Sequence, residues 1–155
     1  MRWEDRKLRQ ATREYLHSFQ FNDPCAVTVT MKQRVGSITL DEIACPVNFR
    51  HFSNRLNKAI LRNSYTRYGN LIPIIPALER SHSQRYHYHT VIDRTAHVTR
   101  DKFKDIVADC WDRTYWGYRE IHFQFDMTPE WIDYITKSAT KDYDPIDWQN
   151  LVRDC

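Results

Sequence analysis

Two neighbouring segments of alternating polarity constrain the fold more than any other part of the sequence. LIPIIPALE covers residues 71–79, RYHYHTVID covers 85–93, and the short polar link RSHSQ joins them. Alternation rich in β-branched and aromatic residues is typical of strands, and so short a link predicts an antiparallel hairpin. Because Pro73 and Pro76 cannot donate to a sheet ladder, we expect the first strand to be irregular or at an edge.

The rest of the chain alternates between helical and extended patterns. Predicted helices cover 3–19, 46–63, 101–114 and 128 to about 140, and further strands cover 25–32 and 118–127. The last helix begins with Thr128-Pro129, an N-cap followed by proline at the first helical position. This order predicts an α+β fold, with a central antiparallel or mixed sheet of about four to five strands and helices packed on it.

Length and composition predict one domain spanning residues 1–155. With 41% hydrophobic residues, the chain is long enough for a sizeable core. No apolar run approaches the roughly 18–20 residues of a membrane span, and the charged start MRWEDRKLRQ is unlike a secretory signal. Four scattered cysteines without a CxxC pair favour free thiols in a reducing compartment. We therefore expect a cytoplasmic protein without a membrane partner.

The second strand of the hairpin carries a histidine pair, His87 and His89. On a strand these two side chains point the same way, one pleat apart, so both imidazoles can bind one metal ion. If the turn is centred near His82 or Ser83, Glu79 lies beside them on the neighbouring strand. Two histidines and a carboxylate leave positions open for substrate, and this ligand set suits zinc, manganese or magnesium.

The last predicted helix carries a tyrosine flanked by cations. Lys137, Ser138 and Lys141 lie three, four and seven residues after Tyr134, so they would share one helical stripe with it. A phenol with a pKa of about 10 is a weak nucleophile at neutral pH. It becomes competent where a metal polarises the group it attacks and nearby cations stabilise the developing charge.

A basic stretch lies in the middle of the chain. No acidic residue occurs between Glu42 and Glu79, whereas several arginines and a lysine fall there among aromatic residues. Such a pattern is typical of a nucleic-acid surface. We expect these and neighbouring cations to contact DNA: Lys32, Arg55, Lys58, Arg62, Arg85 and Lys141.

Three stretches, in this order, resemble the three motifs of the HUH family of rolling-circle replication initiators. CAVTVTMK resembles the first motif, a hydrophobic strand with threonines. ALERSHSQRYHYH resembles the second, in which a histidine pair and an upstream acid bind a divalent metal. WIDYITKS resembles the third, a helix with the nucleophilic tyrosine and a lysine three residues later. The resemblance covers about residues 25–141, and the family's sheet-plus-helices fold agrees with the predicted elements.

The resemblance implies a sequence-specific endonuclease that nicks and rejoins single-stranded DNA at an origin, which we expect to form a stem-loop. Tyr134 would form a 5′-phosphotyrosine bond and free a 3′-hydroxyl, with Lys137 contacting either the phosphate or the water at the metal site. Glu79, His87 and His89 would hold the metal, which we expect to be Mn²⁺ or Mg²⁺. Tyr143 is a second tyrosine, but the Asp144-Pro145 pair predicts that the helix ends there, so we interpret the chain as a single-tyrosine enzyme.

Other functions fit the same sequence. A single-tyrosine transposase shares the histidine pair and the helix-borne tyrosine, whereas a relaxase normally places its tyrosine ahead of the histidines. A non-catalytic module could bind single strands on exposed aromatic residues of a sheet. No GxxxxGK(S/T) motif is present, so we predict no helicase domain and no nucleotide cofactor. We expect either that a host helicase unwinds the DNA or that this chain is the nuclease part of a longer protein. An initiator of a eukaryotic virus would act in the nucleus.

Overall fold

The computed structural model describes residues 1–80, 85–140 and 142–153. It has the predicted α+β class, and each predicted helix and strand appears in the predicted order, with three short elements added. The helices are α1 (Trp3–His17), α2 (Ala44–Leu61), α3 (Asn63–Thr66), α4 (Arg100–Asp112) and α5 (Glu130–Ile135). The strands are β1 (Pro24–Met31), β2 (Arg34–Val35), β3 (Ile38–Thr39), β4 (Ile74–Arg80), β5 (Tyr86–Asp93) and β6 (Gly117–Gln124).

The central sheet has four strands in the order β4-β5-β1-β6, and every neighbouring pair is antiparallel. The predicted hairpin forms between β4 and β5, with Glu79 opposite His87 and Ala77 opposite His89. On the other side of β5, Thr28 of β1 pairs with His89. The sheet therefore joins residues from three separate stretches of the sequence around the histidine pair.

One face of the sheet is covered by α2 and α4 and forms the larger core. Its largest buried side chains are aromatic, and they include Phe49, Phe52, Tyr88, Phe103 and Trp111. Phe52 and Trp111 meet edge to face, with ring centroids 5.3 Å apart. Because full burial of one such side chain is worth about 1.5–3 kcal/mol, this core holds the sheet and both helices together.

The opposite face is only half covered. Leu16 of α1, Phe19 just after that helix, and Ile132 and Ile135 of α5 pack on Val91 and its neighbours at one end of the strands. The rest of that face stays partly or fully exposed, and we call it the open sheet face. It carries Thr28, Thr30, Glu79, His87, His89 and His122.

β4 is an edge strand of this sheet, as Pro73 just before it and Pro76 within it predict. The chain that follows α5 runs along its outer side, where Ala77 bridges Ile146 and Ile74 bridges Val152. The Leu78 amide also donates to the carbonyl of Pro145 at 2.7 Å. This covering segment occupies edge groups that would otherwise be open to another strand.

The last helix is shorter than predicted. α5 ends at Ile135 rather than near Thr140, and its N-cap is Pro129 rather than Thr128. The Thr136 hydroxyl donates back to the carbonyl of Ile132 at 2.9 Å, and Thr136 leaves the helical conformation with φ −102° and ψ 2°. Hydroxyl groups that bond back to the preceding turn compete with helix propagation, and the chain continues as turns.

The short hairpin formed by β2 and β3 was not predicted. It turns at Gly36, whose φ of 60° suits glycine because it has no Cβ atom. The brief helix α3 was also missed. It is separated from α2 by Arg62, which has φ 50°, so the predicted helix at 46–63 is interrupted near its end.

No helix within the described ranges is long and apolar enough to cross a membrane. The longest one, α2, has 18 residues and carries Arg50, Arg55 and Lys58.

Candidate metal centre and adjoining tyrosine

Glu79, His87 and His89 form a compact group that can hold a metal ion. The two Nε2 atoms lie 3.1 Å apart, and Glu79 Oε2 lies 2.9 Å from His89 Nε2 and 3.9 Å from His87 Nε2. One ligand atom from each residue therefore falls within 4.8 Å of the others. The hairpin brings these residues together as predicted, although the predicted turn centre at His82 or Ser83 lies outside the described residues.

The outer nitrogen of each imidazole has a protein partner. His89 Nδ1 lies 3.0 Å from Thr28 Oγ1, and His87 Nδ1 lies 3.4 Å from the carbonyl oxygen of Arg85. Partners of this kind fix the ring orientation and the tautomer of metal-binding histidines. When both Nδ1 atoms carry the proton, both Nε2 lone pairs are free to bind a metal ion. The donor set therefore fits a divalent metal ion.

The electrostatic environment keeps His89 uncharged. Its side chain is 12% exposed, and burial, aided by His87, lowers the pKa of His89 to about 4, although Glu79 acts in the opposite direction. At neutral pH the imidazole is therefore neutral, which is the form that binds metals. Protonation of His89 competes with an ion only in clearly acidic solution.

Tyr134 lies beside this group, on the outer side of α5. Its ring centroid is 5.6 Å from that of His89, and Tyr134 is exposed to solvent. Trp131 stacks on Tyr134 at 5.4 Å with an angle of 16° between the rings. The Trp131 indole donates to the carbonyl of Thr90 at 3.1 Å, which ties this end of α5 to β5. The tyrosine is therefore accessible and adjoins a candidate metal ligand.

Lys137 also reaches the site, but from a turn. Its Nζ lies 3.8 Å from the centroid of the Tyr134 ring, and its amide donates to the carbonyl of Tyr134. The predicted helical stripe of Lys137, Ser138 and Lys141 is wrong in its geometry because α5 ends at Ile135. Lys141 lies outside the described residues. A cation nevertheless sits against the phenol, as the sequence predicted.

Two grooves flank the group on the open sheet face. The larger, of about 650 Å³, is lined in part by Thr28, His122, Trp131 and Tyr134. The smaller, of about 260 Å³, is lined by residues that include Thr30, Arg85, His87 and Tyr118. A larger cavity of about 780 Å³ lies between the end of α2 and the start of α4, away from the triad. We favour the first two as the site because Tyr134 lines one of them and His87 lines the other.

The predicted DNA-binding cations fall in different places. Arg55 and Lys58 lie on α2 and Arg62 ends it, so all three belong to the layer that packs on the other face of the sheet. Arg85 precedes β5 and lines the smaller groove beside His87. Lys32 is exposed directly after β1. The structure therefore brings Arg85, but not the α2 cations, to the triad.

We expect the α2 cations to make backbone phosphate contacts if the basic stretch binds DNA. Replacing Arg55, Lys58 and Arg62 with glutamine should then reduce the slope of log affinity against log salt by about 2, since each single-strand contact contributes about 0.7. Fluorescence anisotropy with a labelled oligonucleotide at several salt concentrations measures the slope. A charge-preserving triple variant, with Arg55→Lys, Lys58→Arg and Arg62→Lys, should keep it. An unchanged slope in the glutamine variant would identify the stretch as a solvated surface.

Tyr143, the second tyrosine, has a structural role. Its hydroxyl donates to the carbonyl of Leu78 at 2.7 Å, in the segment that covers β4. Burial, together with the charge of Glu79, raises the pKa of Tyr143 above its ordinary value. The raised pKa makes the phenolate of Tyr143 less available at neutral pH than that of an ordinary tyrosine.

Sequence reasoning missed three contributors to the site. Thr28, Trp131 and His122 all line the larger groove. The alternating patterns of β1 and β6 indicate which residues of each strand share a face with Thr28 or with His122. Only the pairing of β1 with both β5 and β6 places Thr28 and His122 in one row with His89.

Comparisons with protein-family models, curated proteins and solved structures found no match to this chain.

The contact between Thr28 and His89 leads to a prediction about metal affinity. Thr28→Val keeps the shape of the side chain but leaves His89 Nδ1 without its partner. We expect the dissociation constant for Mn²⁺ to rise about 10- to 100-fold, the usual effect of losing such a partner. Isothermal titration calorimetry measures it. Thr30→Val is the matched control, because the Thr30 hydroxyl donates to the carbonyl of Glu120 instead. Equal affinities in the two variants would contradict the role of Thr28.

Proposed function

We propose that this chain is a metal-dependent enzyme that nicks and rejoins single-stranded DNA, with Tyr134 as its nucleophile. The observation that carries the proposal is the position of an accessible tyrosine ring 5.6 Å from His89, in a group of three residues that can hold a metal ion. The resemblance of three ordered motifs to HUH replication initiators supplies the reaction. The proposed biological role is initiation of rolling-circle replication of a plasmid, phage or virus.

The proposed reaction is a transesterification. The Tyr134 phenol oxygen attacks the scissile phosphorus, a P–O bond to tyrosine forms, and the P–O bond to the 3′ oxygen breaks. The phenol proton leaves to solvent or base, the departing 3′ oxygen takes up a proton, and the downstream strand stays attached as a 5′-phosphotyrosine. No water is consumed, so a later 3′-hydroxyl can reverse the step and join DNA.

Each residue of the site has a chemical task in this reaction. A divalent metal ion, when bound, supplies Lewis acidity toward a phosphate oxygen. Glu79, His87 and His89 hold it, and imidazole nitrogens favour Mn²⁺ over Mg²⁺. The Lys137 ammonium, 3.8 Å from the phenol ring centroid, stabilises the negative charge that develops on the tyrosine and the phosphate. Trp131 holds the phenol ring against the site by stacking.

The two main competing functions differ from this proposal in what they need from the site. A non-catalytic binding module assigns no role to the arrangement of Glu79, His87, His89 and Tyr134. A transposase that exchanges its tyrosine helix between subunits would place the tyrosine in a partner's site. In this chain the ring centroids of Tyr134 and His89 lie 5.6 Å apart, so the single-chain enzyme needs no exchange of the tyrosine helix.

A labelling experiment tests the proposed function. Single-stranded DNA of pooled sequence, labelled at one end, is incubated with the protein and Mn²⁺ and run on a denaturing gel. A 5′-phosphotyrosine link predicts that a 3′-end label moves with the protein, while a 5′-end label appears in a shorter free strand. Chelation of the metal should prevent both products. Binding without any covalent product, across the pool, would favour the non-catalytic module.

A further inference from the structure

The helix that carries Tyr134 is too short to hold its own position. α5 has 6 residues, and an isolated helix needs about 12–15 residues to be even marginally stable in water. The carbonyl groups of its last turn have no i+4 amide partner within the helix itself, as at any helix end. Trp131 anchors the start of α5 to β5, so the other end needs a separate support.

Arg13 of α1 supplies that support. Its Nη2 donates to the carbonyl of Asp133 at 2.7 Å, and its Nε donates to the Thr136 hydroxyl at 2.8 Å. These two acceptors lie on either side of Tyr134 in the sequence. The planar guanidinium presents its donors in a fixed fork, so it fixes both acceptors relative to each other. Its positive charge also suits the negative end of the helix dipole.

Further contacts join α1 to the same part of the chain. His17 Nε2 lies 2.8 Å from Asp133 Oδ1, and Arg9 donates to the carbonyl of Ala139 at 3.3 Å. Leu16, which is fully buried, packs in the same core cluster as Ile132 and Ile135. The Arg13 side chain is 29% exposed, so its bonds are partly shielded from water. Several polar and apolar contacts therefore converge on the turn around Tyr134.

We propose that Arg13 is a positioning residue for Tyr134, acting through Asp133 and Thr136; this inference rests on the proposed function. α1 precedes the region of motif resemblance, so none of the three motifs includes Arg13. Its side-chain hydrogen bonds and its ion pair go to Asp133 of α5 and to Thr136, which ends that helix, whereas the ligand group is built on β4 and β5. Loss of Arg13 should therefore displace the tyrosine and leave the metal ligands in place.

The expected effect falls on the rate of reaction rather than on binding. Arg13→Ala should lower kcat for nicking about 10- to 100-fold, because a displacement of about 1 Å at a reacting group can cost 100-fold. KM for DNA and the Kd for Mn²⁺ should change less than about twofold, because Arg13 contacts no metal ligand. Arg13→Lys keeps the charge but cannot form the same fork, so its kcat should be intermediate.

Steady-state kinetics and hydrogen exchange test the proposal on the full chain. Amide exchange in the segment 130–137 should quicken in Arg13→Ala, while exchange in β5 stays unchanged. Arg6→Ala is the matched control, since Arg6 lies on the same helix and donates to the carbonyl of Met1. It should leave both measurements unaltered. If Arg13→Ala does not fold, the same comparison of kcat, KM and exchange is made with Arg13→Lys.

The possible failures can be told apart. Unchanged kcat, or unchanged exchange in 130–137, would overturn the positioning role. A parallel loss of kcat, DNA binding and Mn²⁺ binding would also overturn it, because the effect would then be a general loss of structure. Absence of any DNA adduct in the wild-type protein would instead overturn the proposed function, whatever the exchange data show for α5.

Discussion

Tyr134→Phe is expected to abolish formation of the DNA adduct while leaving the fold intact. The substitution removes only the phenol oxygen, and the nucleophile of a covalent mechanism has no substitute, so we expect the rate to fall by more than about 10⁴-fold. Tyr134 is 44% exposed, and its stacking on Trp131 needs only the ring. Stability should therefore change by less than about 0.5 kcal/mol. The end-labelled DNA assay measures the adduct, and thermal unfolding measures stability.

Tyr143→Phe is the matched control for this experiment. It removes the other candidate phenol near the site, together with its hydrogen bond to the carbonyl of Leu78. Losing that bond should cost about 1 kcal/mol of stability without affecting adduct formation. If the Tyr143 variant loses the adduct and the Tyr134 variant keeps it, the nucleophile has been assigned to the wrong residue.

Local patterns were sufficient to predict most of the fold. The alternation of residues 85–93 and the short link before them define both the β4–β5 hairpin and the side of β5 that bears His87 and His89. Glu79 could be placed opposite His87 because a hairpin fixes the register of its own two strands. These features depend on residues close together in the sequence.

Contacts between distant residues could not be predicted in the same way. Thr28 and His89 are 61 residues apart, and their contact requires β1 to lie beside β5 rather than at an edge. Periodicity also does not indicate which face of the sheet α2 covers. The sequence therefore could not show that the basic stretch and the metal ligands lie on opposite faces of the sheet. Both facts depend on how the sheet and its helices pack.

The end of α5 illustrates a local limit of the same reasoning. Helical spacing from Tyr134 to Lys137 assumed a continuous helix, but the Thr136 hydroxyl bonds back to Ile132 and the helix stops. Lys137 still reaches the Tyr134 ring, because the turn that follows α5 leaves its ammonium 3.8 Å from the ring centroid. A cation does lie next to Tyr134, as predicted, but the continuous helix from which it was predicted does not form.

Loss of either histidine is expected to abolish both metal binding and DNA cleavage. Removing His87 or His89 takes away one of two nitrogen ligands, so the Mn²⁺ affinity should fall more than the roughly 10- to 100-fold typical of an outer partner. Binding of single-stranded DNA should largely persist, because phosphate contacts do not require the triad. Calorimetric titration of Mn²⁺ and anisotropy with labelled DNA measure the two effects separately. His87→Ala is the safer variant, because its side chain is more exposed than that of His89.

Two further variants separate ligand loss from a change of surface. His122 lies on the same face of the sheet but does not belong to the triad. His122→Ala should therefore leave the Mn²⁺ affinity unchanged. Glu79→Gln keeps a carbonyl oxygen but loses the anion, so its affinity should fall less than in the histidine variants, and higher Mn²⁺ should restore part of the cleavage. Circular dichroism of each variant checks the fold. Should the wild type bind no divalent ion, or the His87 and His89 variants bind it equally tightly, the histidine pair would be structural and the proposed enzyme would lose its metal centre.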